Sequence, residues 1–390
     1  MIDDPEVSKE KISMKVSQRI TLPVLLLTVM ACSDESETAS ENEHSVFDCG
    51  TLGVNATPVL PTDSNRLIEV SNYAALVSAI ESGYSYIKVP NGVTIEIPNQ
   101  QAALALGEHQ TLFGERGISD DPGKLRVAAN PNPTEDSYPV IRLSSYSRIS
   151  GLIVEGPVRV SQTTKSTIGM QTQNDSVGIR VDNNEIFGWP WAGVSLKRST
   201  KATVSHNYIH HNIKTELGYG VVVQNGDTTA DIQCNIFDHN RHAIAGSGAL
   251  GEGYTASYNL VMQGGGKAAY HQFDMHEKDG YGGSYVKVYN NWFNYGDFGT
   301  SNRSSVMIRA IPSEGPIEVS GNIFQSDFVI QNGQPTVDGV AGSIPDAETL
   351  RKKNQFSQAF SFKRESEHVC VMSVAGQTVP VLCQGVGLTF

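Results

Sequence analysis

Between Tyr219 and Arg309 the chain gathers side chains that can take, give or neutralise charge: Tyr219, Arg241, His242, Tyr270, His271, Asp274, His276 and Arg309. Histidine titrates near neutrality and can remove a proton. A guanidinium grips a carboxylate through two parallel hydrogen bonds, and a phenol can hand a proton to a departing oxygen. These groups suit abstraction of a proton beside a carboxylate followed by loss of a leaving group, with the cation offsetting the charge that develops. The expected catalytic set is His242, Arg241, Asp274, His276, Arg309 and Tyr219, with Lys197, Gln224, His271 and Tyr270 contacting substrate. Arg309 or Arg241 neutralises, His242 or His276 is the base, and Tyr219 or Tyr270 the acid.

Hydrolysis of a glycosidic bond needs two carboxylates flanking that bond. Here Asp274 is one, and Glu216, Asp238, Glu277 and Asp279 compete to be the second. The carboxylate pairing is therefore poorer than the cation set. The run His271-x-x-Asp274-x-His276 offers nitrogen and oxygen ligands, but two ligands on one strand are a weak metal signal, and calcium wants more oxygens than the chain supplies here. No metal ligand set and no cofactor are expected, a divalent ion such as calcium being the one option left open. The cysteines show no zinc spacing.

What must position these residues is a repeat. Asn184, Asn207, Asn235, Asn259, Asn291 and Asn322 each precede an apolar pair, directly or, for Asn184, after one residue, at spacings of 23, 28, 24, 32 and 31 residues. Short β-branched and aromatic runs broken by Gly, Asn and Asp, without a long helical stripe, read as a solenoid of β-coils. Each repeat is one turn of a parallel β-helix. The stacked asparagines satisfy buried turn backbone and have no catalytic role. With Val194, Leu196, Val221, Val223, Ile244, Phe273, Met275, Val306 and Ile308 pointing inward, alternation places Lys197, Gln224, Ala245, Asp274 and Arg309 outward in one row. At ~4.8 Å per coil the row spans roughly 19 Å, a few sugar units.

A helical stretch then strands near residues 66–100, the phrases HQTLFGERG (residues 109–117) and RISGLIVEG, and the asparagine ladder resemble the pectate-lyase-like superfamily over roughly residues 66–327. The resemblance implies an all-β, right-handed parallel β-helix with a short N-terminal capping helix and ligands held along the first strand of each coil. The superfamily includes lyases, hydrolases, epimerases, esterases and adhesins, so fold alone does not assign chemistry. The phrases LGYGVVVQNGD, DHNRHAIAGSG, YTASYNLV and FDMH also resemble a bacterial group of β-helix proteins known mainly by fold. Neither the Arg-x-Pro-x-x-Arg of pectate lyases nor the Asp clusters of polygalacturonases is present. The functional expectation is a carbohydrate-active protein, foremost a lyase on a uronic-acid polysaccharide, then a hydrolase or uronate epimerase. A non-enzymatic, glycan-binding surface lipoprotein is the competing class.

The ends of the chain bear on location. Lys15 and Arg19 precede an apolar run at residues 20–30, too short to span a bilayer and suited to a signal segment. Val29-Met30-Ala31-Cys32 resembles a bacterial lipobox, which implies lipidation of Cys32 after removal of residues 1–31, with translation starting at Met14. The acidic residues 32–65 form a flexible tether, residues 66–331 the β-helix, and residues 332–390 a C-terminal cap and tail, with a helix at DAETLRKKN. Ser71 is the expected helix cap near the first coil. Cys370 and Cys383 could pair, whereas Cys234 reads as a small buried hydrophobe. His206, His210 and His211 are expected on the surface. The formal net charge of −12 excludes a nucleic-acid role and leaves membrane contact to the lipid alone. The protein is expected to be a monomer anchored in the bacterial cell envelope.

Overall fold

The computed structural model describes residues 49–128, 138–158, 166–262, 264, 270–294, 303–331 and 334–383. Three long sheets of ten, ten and nine strands share the chain, and each central coil contributes one strand to each. Neighbouring coils pair in parallel throughout, from Leu67–Glu69 on Tyr86–Lys88 to Tyr285–Tyr289 on Ile317–Ser320. This is a right-handed parallel β-helix, the hand that successive parallel crossovers take.

Alternation inside each strand sends the apolar positions inward. Val194, Val221, Ile244, Phe273 and Val306 pair in register from coil to coil, as do Val223, Gly246, Met275 and Ile308. Their apolar side chains are wholly buried in one continuous core. Each fully buried residue of this kind contributes about 1.5–3 kcal/mol.

The asparagine ladder is as expected and one rung longer. Each Nδ2 from Asn184 to Asn322 donates to the next Oδ1 at 2.9–3.1 Å, and Asn322 passes the bond to Asn354. Each amide also bonds a backbone carbonyl of the preceding coil, as Asn259 does to Ile232 O at 2.8 Å. A second ladder joins Asn212 to Asn240 at 2.9 Å.

The helix Tyr73–Glu81 buries Leu76 and Ala79 against the first coil. Its cap is Asn72, not Ser71: Asn72 Oδ1 accepts from Ala75 N at 2.9 Å. The helix Ala347–Lys352, capped by Asp346, inserts Leu350 at the far end.

Two sequence expectations change here. Residues 49–65 are not a loose tether throughout. Cys49 is joined to Cys234 by a disulfide, so Cys234 is not a free buried thiol, and Leu52 pairs with Val381. Cys370 and Cys383 do form the second disulfide. The tail forms the antiparallel strands Ser361–Arg364, Val369–Val374 and Gln377–Leu382, which pack with Leu52 and Val54 against Tyr208, Ile236, Leu260 and Trp292 on the outer face of the nine-stranded sheet. The segment before residue 49, with Met14 and Cys32, lies outside the described residues. Among the described residues no helix is long and apolar enough to cross a membrane.

Candidate active site

The ledge is the outer face of the sheet that contains Ile168–Thr172, Ala192–Lys197, Tyr219–Gln224, His242–Gly246, Phe273–Met275 and Ser304–Ile308. Its wall is shared by all the expected outward residues, but they form two rows instead of one. Ser195, Val222, Ala245, Asp274 and Met307 are paired in register. Lys197 pairs with Gln224, and that second row runs on through Ser247, His276 and Arg309, whose N–H groups bond Val223, Gly246 and Met275 at 3.0–3.1 Å. Alternation identifies the outward face of a strand but not which outward residue meets which in the next coil, since a slip of two residues preserves the face.

His242 reaches the ledge through a kink. Strict alternation from Ile244 would turn it inward. Instead Ala243 and Ile244 both donate to Gln272 O, at 2.9 and 3.0 Å, and both belong to the core. Two successive inward residues make a bulge that returns His242 to the outer face, a common device for re-aiming a side chain. The inward corner admits only a small residue: a Cβ on Gly220 would stand 2.7 Å from Ala243 O and 3.1 Å from the Phe237 ring. Tyr219, in register with His242, is aimed the same way and stacks on it at 5.3 Å.

Asp274 is the hub. It has no exposed surface, and its carboxylate accepts from Arg309 Nε at 2.9 Å and Nη2 at 2.6 Å, and from His276 Nε2 at 3.1 Å. Burial alone would raise its pKa, but the bonds from His276 and Arg309 outweigh it and hold the carboxyl well below the usual range. The same pairing raises Arg309. In the neutral tautomer that gives Nε2–H to Asp274, the His276 lone pair is on Nδ1. The His276 side chain is 32% exposed and that of Arg309 38%.

His242 is wholly buried, and burial pushes its pKa down to about 3 against the pull of Asp274. It is a neutral imidazole with both nitrogens used: Nδ1–H donates to His271 O, and Nε2 accepts from Arg241 Nη1. That excludes it as the proton acceptor and makes it the post that holds Arg241. His271 is pushed down to about 4 by burial and accepts Ser304 N on Nδ1 at 3.0 Å, a structural bond. The Tyr270 ring lies 5.1 Å from the Arg241 guanidinium and 6.0 Å from that of Arg309, within cation–π range, and edge-on to His242 at 5.8 Å. The Tyr219 hydroxyl donates to Glu216 O at 3.2 Å, and burial raises its pKa.

The expected residues are therefore brought together with two exceptions. Lys197 and Gln224 lie on the same wall in earlier coils; Gln224 Nε2 donates to Ser195 Oγ at 2.7 Å. There they extend a polar line that sequence reasoning missed: Arg142 donates to Gln171 at 3.0 Å, and Gln171 to Ser195 at 2.9 Å. Its only signal is a polar residue at the outward place of each early strand. Beside the line, and running on to the hub, is an apolar patch of Ile168, Ala192, Tyr219, Val222 and Ala245 with Trp191 and Leu217.

His242, Asp274 and His276 offer ligand atoms within 4.8 Å of one another. They do not suit a dication, because both Asp274 oxygens bond Arg309, both His242 nitrogens are occupied, and two guanidiniums adjoin the group. Asp238, a possible second carboxylate by sequence, lies on the nine-stranded sheet and pairs with His239 at 2.8 Å. His210 is not a surface residue: it is 8% exposed, bonded to Glu185 at 3.2 Å and stacked on Phe187 and Tyr208. His206 is also largely covered and bonds Cys49 O at 3.1 Å.

Neither a protein-family model nor a curated protein matches the sequence. Among solved structures, an alginate lyase from a Paenibacillus species is similar at 14% identity and TM-score 0.38, covering 75% of this chain and 96% of that one. The Dettilon tailspike protein is similar at 11% identity and TM-score 0.32, covering 78% and 71%. The catalytic domain of a GH87 α-1,3-glucanase is similar at 12% identity and TM-score 0.25, covering 80% and 70%.

Proposed function

We propose that this protein is a carbohydrate-active enzyme that cleaves a uronic-acid-containing polysaccharide by β-elimination on the ledge. The observation that carries the reading is the use of Asp274: its carboxylate is consumed in fixing Arg309 and His276, so what the site offers a substrate is a base, two cations and phenols. Arg309 and Arg241 bind the uronate carboxylate and make the C5 proton acidic. His276 Nδ1 takes that proton, the C–H electrons form the C4–C5 double bond, and the C4–O bond breaks. Tyr270, beside both guanidiniums, protonates the departing oxygen. A hydrolase would need two carboxylates flanking the scissile bond, and the one at the hub, Asp274, is engaged by Arg309 and His276.

The export reading stands with this one. The signal-like residues 20–30 and Cys32 support lipid anchoring in a bacterial envelope, and the two disulfides, Cys49–Cys234 and Cys370–Cys383, suit an oxidising compartment. The enzyme acts as a monomer on an extracytoplasmic polymer.

Incubation of the purified protein with a panel of uronic-acid polysaccharides is the test. The expected result is growth of the ultraviolet absorbance of an unsaturated uronate. New reducing ends without that absorbance would make it a hydrolase, and binding without either would make it a glycan-binding protein.

A further inference from the structure

One line of register partners crosses the ledge from the early coils to the hub. Arg142, Gln171, Ser195, Val222, Ala245 and Asp274 pair in that order, coil by coil. Arg142 stands outward because its neighbours in the strand Pro139–Leu143, Ile141 and Leu143, are wholly buried. Five coil steps separate it from Asp274, roughly 24 Å at ~4.8 Å per step.

Arg142 is held in place but not used up. Its Nη1 donates to Gln171 Oε1 at 3.0 Å, and buried Gln171 is fixed in turn by Ser195. The other edge of the guanidinium, Nε with Nη2, makes no hydrogen bond among the described residues, and neither atom is buried. That is the edge with which Arg309 grips Asp274 and Arg148 grips Asp182, each through Nε and Nη2. Two parallel N–H donors matched to one carboxylate are therefore left open to solvent. Lys197 Nζ, two residues beyond Ser195, has no partner either. Among the described residues no carboxylate stands within ion-pair distance of either cation.

Along this wall Arg142, Lys197 and Arg309 face one carboxylate, that of Asp274, which Arg309 neutralises. In a chain of formal net charge −12 this leaves a local excess of positive charge, where an acidic polymer would otherwise be repelled. Val222 and Ala245, the two rungs between Ser195 and Asp274, carry no polar group, and with Trp191 they offer an apolar floor to the C–H faces of sugar rings.

We infer that Arg142 is a distal grip for an acidic polysaccharide. Its Nε–Nη2 edge takes the carboxylate of a sugar several units away from the one held at Arg309 and Arg241, and Lys197 adds a charged contact between them. The polymer then lies along the solenoid axis, from the hub toward the first coils. Such a grip presupposes that the ledge takes a uronic-acid polymer, as proposed above, and it makes affinity depend on chain length. An octasaccharide reaches from the hub to Arg142, whereas a trisaccharide does not.

Isothermal titration calorimetry on the full chain, carrying His276→Ala so that ligand is not consumed, tests this with trisaccharides and octasaccharides of mannuronate, guluronate and galacturonate. At least one octasaccharide is expected to bind, and adding Arg142→Gln should raise its Kd about tenfold or more, the worth of a charged hydrogen bond, without moving the trisaccharide Kd. Lys197→Gln, at a second position, should also weaken the octasaccharide alone, and unchanged circular dichroism certifies each fold. The grip is overturned if no octasaccharide binds, if Arg142→Gln leaves the octasaccharide Kd unchanged, or if both lengths lose affinity equally, which would make Arg142 a support of the hub. The lyase reading fails separately: binding that depends on Arg142, with no unsaturated product from the unsubstituted chain, keeps the grip and removes the elimination.

Discussion

Two stacks of polar side chains run along this solenoid, and they differ in one respect. The asparagine ladder repeats the same group, so each amide donates to one neighbour and accepts from the other, and every rung from Asn184 to Asn322 is buried and satisfied. The hub on the ledge stacks unlike groups: Asp274 is saturated by Arg309 and His276, while those two remain partly exposed. Like rungs close on themselves and yield structure. Unlike rungs leave donors, charge and a lone pair over, and that remainder is what chemistry can use.

The comparison can be broken most sharply at His276. His276→Ala should lower kcat/KM by about 10²–10⁴-fold, the usual worth of a general base, with little change in melting temperature because the side chain is partly exposed. A melting temperature that falls with activity untouched would move His276 to the structural stack. Next, Asp274→Asn should cost activity and about 3–5 kcal/mol of stability, since it leaves a partly buried guanidinium without its partner; denaturant titration reads the second. Asn259→Ala should do the reverse, losing roughly 1–3 kcal/mol for each group it leaves unsatisfied while activity per folded molecule holds.

The smallest effect sharpens the electrostatics. His242 and His271 are neutral in the folded state with pKa values pushed down to about 3 and 4, whereas unfolded histidine titrates near 6.5. Below pH ~6.5 the unfolded chain binds protons that the folded one refuses, so stability falls with acidification down to those folded values. The depressed Asp274 adds to the loss only below about pH 4, where the unfolded carboxyl protonates. Melting temperature should therefore decline between pH 6.5 and 4, and His271→Phe should flatten the slope. A flat wild-type profile would mean that the histidines are charged when folded.

Much of this was legible without coordinates. The period of the Asn phrase, the inward Val, Ile and Phe positions and the helix at residues 347–352 all follow from local pattern. The crowding of His, Arg, Asp and Tyr after Tyr219 located the hub. What was misread depended on contacts between distant segments: the partner of Cys234 is 185 residues away, and His210 is covered by residues of its own and the preceding coil. His242 looked like a base because residue type signals capacity for proton transfer, and only burial shows whether that capacity is reachable.

The sequence by itself determined the coil, because alternation and turn residues act within a few positions and the solenoid merely repeats them. Tertiary structure decided the register between coils, the bulge that turns His242 outward, the pairing of Asp274 with Arg309 and the disulfide between Cys49 and Cys234. These depend on loop lengths and on packing between residues far apart in sequence, for which a linear pattern carries no distance.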